Sequence, residues 1–308
     1  MKNQKPKVSI LMNSYNSSKF LKQALESVKS QTYPNWEVVF IDNHSTDGSR
    51  EYAEIFDERV KVYKTPKFCP LGEARNFGLT KVDGDYLCFL DTDDYWEPNK
   101  LEVQIQQLKS NIALIYSPVR LIDETGKYLS STRVNAKPTI STLIERYDIN
   151  MQTVMINIGV VGRNNLKFDC NLSYNPDFKL FLTIALNFNI QSTSKPLAHY
   201  RLVSMSLSNA LKDKQYSENL YVLDYLINEC KNDNFELKSK IERAKVFYQK
   251  KDELSKLIQN GETRRLRHLA FCLMKYNFNY VILYISSFLP RSLLDLVLKT
   301  LSSKGFIR

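Results

Sequence analysis

The chain has 308 residues, of which 43% are hydrophobic and 25% charged, ordinary values for a soluble globular protein, with no low-complexity tract or fixed-period repeat. Its net charge of +10 suggests an anionic partner but is unevenly spread: from Gly261 onward, eight Lys and Arg residues oppose only Glu262 and Asp295. The N-terminal MKNQKPKVSIL lacks a signal-peptide core, no run reaches bilayer length, and five scattered cysteines form no Cys-x-x-Cys pair, so a cytoplasmic protein is expected.

Along the chain, residues 8–12 (VSILM) form a short apolar run that predicts a strand. Phe20, Leu21, Ala24, Leu25 and Val28 then fall at helical spacing, with Ser17 or Ser18 as the cap. Pro34 ends that helix, and residues 36–41 (WEVVFI) read as a second strand. Thr46-Asp47-Gly48 opens a helix bearing Tyr52, Ile55 and Phe56. Residues 60–63 make a third strand, 71–82 a helix and 85–90 a fourth strand. Pro98 suits a first helical turn ahead of the stripe Leu101, Ile105 and Leu108, and residues 113–116 make a fifth strand. Such alternation implies an α/β fold, a Rossmann-like, mostly parallel sheet flanked by helices.

Beyond Pro118 the pattern loosens. Asp123-Glu124-Thr125-Gly126 reads as a hairpin turn, residues 153–161 as a strand, 178–188 as a helix and 197–202 as a short strand. From about Leu211 the pattern is helical throughout: around Leu220 to Ile227, around Ile241 to Leu254, then 266–274 and 293–301. The domain boundary is placed near Asn209, giving a 1–209 α/β unit and a small all-helical, basic 210–308 region.

Ligands of parallel sheets bind beyond the carboxyl ends of the strands, and the polar clusters lie there. Ser14-Tyr15-Asn16 follows the first strand, Asp42-Asn43-His44 the second, and Asp91-Thr92-Asp93-Asp94 the fourth. Three crowded carboxylates repel one another unless a cation sits among them. Hard ions such as Mg²⁺ or Mn²⁺ take one or two carboxylates and let phosphates complete the shell; a helix start decorated with acids is the plainer alternative. Asp42 is suited to accept the N3–H of uracil, or to act as a turn acid. Tyr15 suits base stacking, and Arg75, one helical turn in, suits ribose or phosphate, against ordinary half-buried or solvated roles. His199 in LAHYR reads either as approaching the metal or diphosphate from a late loop or as a strand histidine making ordinary hydrogen bonds, and Arg201 as a cation for the diphosphate.

KVSILMNSYN, VVFIDNHSTDGS, GEARNFGL and FLDTDDYWEPNKLEVQ, in this order and spacing, resemble family 2 glycosyltransferases of the GT-A fold. A weaker match continues to about Ser208. The resemblance implies an inverting transferase using a nucleotide-diphosphate sugar with Mn²⁺ or Mg²⁺; Asp42 points to a UDP-sugar, although guanine and thymine also present imino protons. Its acceptor would be a glycan or a polyprenyl- or lipid-linked hydroxyl in cell-surface polysaccharide or glycoconjugate synthesis. By the same resemblance Tyr15, Asp42, Arg75, Asp91 and Thr92 hold the donor nucleoside, Asp93, with Asp91, ligates the metal, and Asp94, Asn16 and Asn43 are further donor contacts. The family's base sits in an acidic pair at a helix start; Asn175-Pro176-Asp177-Phe178 offers Asp177 there, with Pro176 in place of the glutamate and Lys179 where an acid is common.

Those departures motivate a second reading, a catalytically silent relative binding nucleotide or glycan. A haloacid-dehalogenase-like phosphotransferase expects its acid pair near the first strand, not the fourth. A dinucleotide oxidoreductase would need a Gly-x-Gly-x-x-Gly after the first strand, which this chain lacks. Apolar stripes beside Lys and Arg in the last helices suit an anionic membrane surface, the inner face of the cell membrane, or packing on the catalytic domain. No nucleic-acid-binding motif accompanies the charge.

Overall fold

In the computed structural model, residues 5–203, 211, 214–231, 234–260, 262–273 and 284 are described. The N-terminal strands form as their apolar runs predict. β1 (Val8–Ser14), β2 (Trp36–Asp42), β3 (Val60–Lys64) and β4 (Tyr86–Phe89) alternate with α1 (Ser18–Lys29), α2 (Ser49–Phe56) and α3 (Leu71–Leu79). After the two-residue β5 (Tyr95–Trp96) come α4 (Lys100–Gln107), β6 (Ile112–Tyr116), β7 (Val119–Ile122), β8 (Tyr128–Ser131) and α5 (Ile140–Glu145). Then follow β9 (Met155–Asn157), α6 (Ile158–Val161), α7 (Pro176–Asn187), β10 (Asn189–Ser192) and β11 (Ala198–Arg201). Three helices follow: α8 (Gln215–Glu229), α9 (Phe235–Asn260) and α10 (Thr263–Leu273).

The central sheet has seven strands in the order β10-β6-β9-β4-β1-β2-β3, parallel except for β9. Adjacent residues of β1 and β2 point to opposite faces, and both faces are covered. Ile10, Met12, Val38 and Phe40 pack with Leu21 and Leu25 of α1. Leu11, Val39, Ile41 and Phe89 pack with Phe178 and Phe181 of α7 and with Val222, Leu223 and Leu226 of α8. α8, with Leu237 and Ile241 of α9, therefore shares the core of the α/β sheet. The boundary expected near Asn209 and the helix expected at 293–301 fall outside the described residues.

The strand expected over 153–161 is shorter than its apolar content suggests. It stops at Asn157, whose side chain accepts the Val160 N–H and starts α6. The hairpin forms as expected: Asp123 Oδ1 accepts the Thr125 and Lys127 N–H groups, and Gly126 takes φ +90°. β7 and β8 join β11 and β5 in a second, four-stranded sheet that the sequence did not reveal. That sheet packs beside the carboxylates and ties them down from behind.

Candidate active site

The parallel register aligns the ends of the strands. Ser14 pairs with Asp42, Asp42 with Lys64, and Leu11 with Phe89, so the loops after β1, β2, β3 and β4 leave the sheet at one rim. Asp42 is 1% exposed. Its Oδ1 accepts the Ser45 N–H at 3.1 Å, while Oδ2 is buried with no hydrogen-bond partner among the described residues. An orphaned buried acceptor costs on the order of 1–3 kcal/mol, which a ligand N–H would relieve.

Asn16 and Asn43 fasten these loops together. Asn16 sits at φ 50° and its Oδ1 accepts the Thr46 N–H at 2.9 Å. Asn43 exchanges bonds with Cys69, donating Nδ2–H to its carbonyl at 2.8 Å and accepting its N–H at 3.1 Å. Those bonds pin the loop that carries Phe68, whose exposed ring lies 4.9 Å from that of exposed Tyr15. Phe68, absent from the sequence-based candidates, completes an aromatic pair at the rim. Asp47 accepts the Ser18 N–H at 2.8 Å and the Ser49 Oγ–H at 2.6 Å, which holds its carboxyl down at about 2. It thus supplies the bond that the Ser17 side chain does not make to α1.

The acidic cluster is built asymmetrically. Asp91 is fixed by Gln152, which accepts the Asp91 N–H at 2.8 Å and donates Nε2–H to Asp91 Oδ2 at 2.5 Å. Asp91 Oδ1 lies 3.4 Å from Arg75 Nη2. Burial first, then the Asp91 charge, pushes Asp93 up to about 6. Asp94 turns inward, accepting the Arg201 N–H at 2.7 Å, with its Oδ2 buried and without a partner among the described residues. Burial and the two neighbouring acids raise Asp94 well above the carboxylate range. Thr92 is buried between them.

Arg201 buttresses the cluster rather than standing open. It donates to the carbonyls of Asp93 at 2.9 Å, Asp123 at 3.3 Å and Glu124 at 3.1 Å, and to Gln23 Oε1 at 2.6 Å. His199 stacks on Tyr95 with ring centres 4.1 Å apart, and its Nε2 lies 2.8 Å from Glu97, which also pairs with Arg120. Burial, with Arg120 and Arg201 near, holds the imidazole down at about 4, so it is neutral and donates to Glu97.

Arg75, buried on α3 over the Phe168 ring, also faces the start of α7. There Asp177, half-buried in the first turn, is raised by burial and pulled back by the Arg75 charge. The structure thus brings Asp91, Arg75 and Asp177 into one electrostatic unit. Lys179 is drawn away from it, paired with Asp169 at 2.6 Å and lying over the Tyr225 ring. The open cleft between α7 and α8, lined by Lys179, Thr183, Asn187 and Tyr225, touches none of the rim carboxylates. Among the described residues no three His, Cys, Asp or Glu side chains gather into a metal shell. Asp93 and Asp91 suit a hard cation whose other ligands come from phosphate and water, and such an ion would offset the charge that raises Asp93.

An orphaned acceptor, an aromatic pair and an acid cluster lie together at the carboxyl rim of a parallel sheet, where α/β proteins bind their ligands. The sequence model described as Glycosyl transferase family 2 matches residues 9–164. The Escherichia coli UDP-Glc:alpha-D-GlcNAc-diphosphoundecaprenol beta-1,3-glucosyltransferase WfgD is 30% identical, over 75% of this chain and 97% of its own. The putative teichuronic acid biosynthesis glycosyltransferase TuaG of Bacillus subtilis is 30% identical, over 68% and 84%. The crystal structure of S. aureus TarS 1-349 in complex with UDP shares the fold, with a TM-score of 0.63 at 17% identity over 98% of this chain and 88% of that chain. The chain belongs to glycosyl transferase family 2, and it is a glycosyltransferase.

Proposed function

We propose that the protein transfers a hexosyl or N-acetylhexosaminyl group, with inversion, from a UDP-sugar to a hydroxyl of a lipid-diphosphate-linked glycan during cell-surface polymer synthesis. The observation that carries this reading is Arg75, buried beside Asp91 at 3.4 Å and near enough to Asp177 for its charge to act on that carboxyl as well. Asp42 Oδ2 is oriented by its loop to receive the uracil N3–H, and Tyr15 with Phe68 to cover the base. Asp177 takes the proton of the acceptor hydroxyl while that oxygen attacks the anomeric carbon from the face opposite the diphosphate. The bond to the diphosphate oxygen breaks and its electron pair leaves with UDP. Its raised affinity for protons makes Asp177 a stronger base near neutral pH than an ordinary carboxylate. A bound Mg²⁺ or Mn²⁺, held by Asp93 with Asp91, would supply Lewis-acid stabilisation of the departing diphosphate.

The similarity to WfgD, whose name specifies a UDP-glucose donor and a GlcNAc-diphospholipid acceptor, supports the choice of substrates. Against the silent-relative reading stands Lys179, whose charge Asp169 neutralises away from Asp177. The test is UDP release from a panel of UDP-sugars with Mn²⁺ and a synthetic GlcNAc-diphospholipid. The parent is expected to turn over at least one donor. Asp93→Ala and Asp177→Asn should each lose on the order of 10²-fold or more. No turnover of any donor would overturn the reading.

A further inference from the structure

The segment that delivers Asp177 to the rim is held from outside itself. The side chain of Asn175, at the N-cap of α7, makes no bond to the helix it precedes, and Pro176 has no N–H to offer. The polar groups of residues 173–175 instead converge on one carboxylate. Glu218, in the first turn of α8 and 8% exposed, accepts the N–H groups of Ser173 at 2.9 Å, Tyr174 at 2.8 Å and Asn175 at 3.1 Å. It also accepts the Ser173 Oγ–H at 2.8 Å. Beside it, Asn219 accepts the Asn175 Nδ2–H at 2.9 Å.

The grip continues past the carboxylate. One turn along α8, the Tyr221 hydroxyl donates to Asp169 at 3.0 Å, the same acid that pairs with Lys179 two residues after Asp177. Asp177 is therefore flanked on both sides by chain that α8 fixes. Hydrogen bonds to an ionised acceptor are short and strongly directional, so four donors meeting one buried carboxylate leave the segment little freedom.

We propose that Glu218 is a positioning residue for Asp177, which makes α8 part of the catalytic apparatus. The proposal rests on the reading of Asp177 as the base. Glu218 touches neither donor nor acceptor; it sets the direction in which the first turn of α7 presents its carboxylate. A displacement of about 1 Å at such a group costs up to about 10²-fold in rate.

The experiment compares the intact protein with Glu218→Gln, Ser173→Ala, Val222→Ala and Asp177→Asn, using UDP-glucose and the synthetic GlcNAc-diphospholipid, or the donor of the panel that turns over fastest. Glu218→Gln presents an amide N–H to donors that need an acceptor. It is expected to lower kcat about tenfold or more and to leave the Kd for UDP, measured by calorimetry, within about twofold. It should also move the acid limb of kcat/KM to lower pH by about half a unit, because a carboxylate released from its enclosure is better hydrated. Ser173→Ala removes one donor to Glu218, together with the acceptor of Lys214 Nζ at 3.3 Å, and is expected to give a smaller change in the same direction, which keeps the test decisive if Glu218→Gln does not fold. Val222→Ala weakens α8 packing without touching the polar grip and is expected to lower Tm with kcat unchanged.

Three results overturn the proposal: Glu218→Gln and Ser173→Ala with parental kcat and parental acid limb, Val222→Ala reproducing both changes, or an Asp177→Asn protein with parental kcat. The last overturns the base reading as well; an inactive Asp177→Asn beside a parental Glu218→Gln overturns this inference alone.

Discussion

Asp42 carries the most specific information of any single side chain at the rim. Its Oδ1 is committed to the turn at Ser45, and its Oδ2 is buried, with no partner among the described residues. Asp42→Asn keeps the turn bond but replaces the orphaned acceptor by an N–H, which opposes a ligand N–H. UDP affinity is expected to fall about tenfold or more, with Tm unchanged or raised, by calorimetry and thermal melting. Asp93 supplies a pH dependence of opposite sign to most acids. Held at about 6, it keeps its proton in the folded chain where the unfolded chain has lost it, so its contribution to stability falls as pH rises from about 4 to about 6. Mn²⁺ bound with UDP would offset the burial and the Asp91 charge that hold the proton on Asp93, and is expected to raise Tm more at pH 7 than at pH 5; Asp93→Ala should abolish the difference. Asp47 and Asp57, held at about 2, act the other way, and their stabilisation is lost as pH falls below about 4. At this scale Asp42, Asp91 and Asp93 stood out as carboxylates after apolar runs, whereas Asp177 entered only through the family resemblance. Gln152 and Glu218 were not, since an amide in a loop and an acid on a helix look like surface residues until their partners arrive.

Among the elements, the order of strands β1 to β4 follows from continuous apolar runs, whose two faces must both be covered. The link from α3 to β4 shows what such runs leave unsaid. VDGDY reads as a turn, yet Gly84 is there for closeness: an added Cβ would lie 2.8 Å from the Lys7 carbonyl oxygen and from the Ser9 nitrogen. Neither backbone atom yields without opening the pairing of β1 with β4. Gly84→Ala is therefore expected to cost about 2–3 kcal/mol in denaturant unfolding, with UDP affinity retained in the fraction that folds. The 153–161 segment illustrates the converse. Its apolar residues are buried except for half-buried Val160, but Asn157 turns its side chain to cap a helix, and burial alone does not distinguish a strand from a short helix.

Across the whole molecule the C-terminal region is packed, at least through α10. Leu266, Leu269 and Ala270 are buried on α10, which lies against α9, while Arg264 and Arg265 remain exposed. Among the described residues no helix is long and apolar enough to cross a membrane. Contact with a membrane carrying the lipid-linked acceptor would therefore come from exposed charge rather than from that apolar stripe. Co-sedimentation with vesicles containing anionic lipid is expected at low salt and should be largely lost near 0.5 M salt, where screening is within about 4–5 Å. Retention at high salt would instead point to inserted apolar residues.

The sequence by itself determined the alternating sheet, the rim at which its loops end and the acids gathered there, because periodicity and end-of-strand chemistry are local properties. Only the tertiary structure decided which oxygen of Asp42 stays without a partner, that Arg201 braces the cluster from behind, and that a helix 40 residues downstream grips the segment bearing Asp177. Those outcomes depend on donors and acceptors far apart in the chain, whose pairing no local pattern encodes.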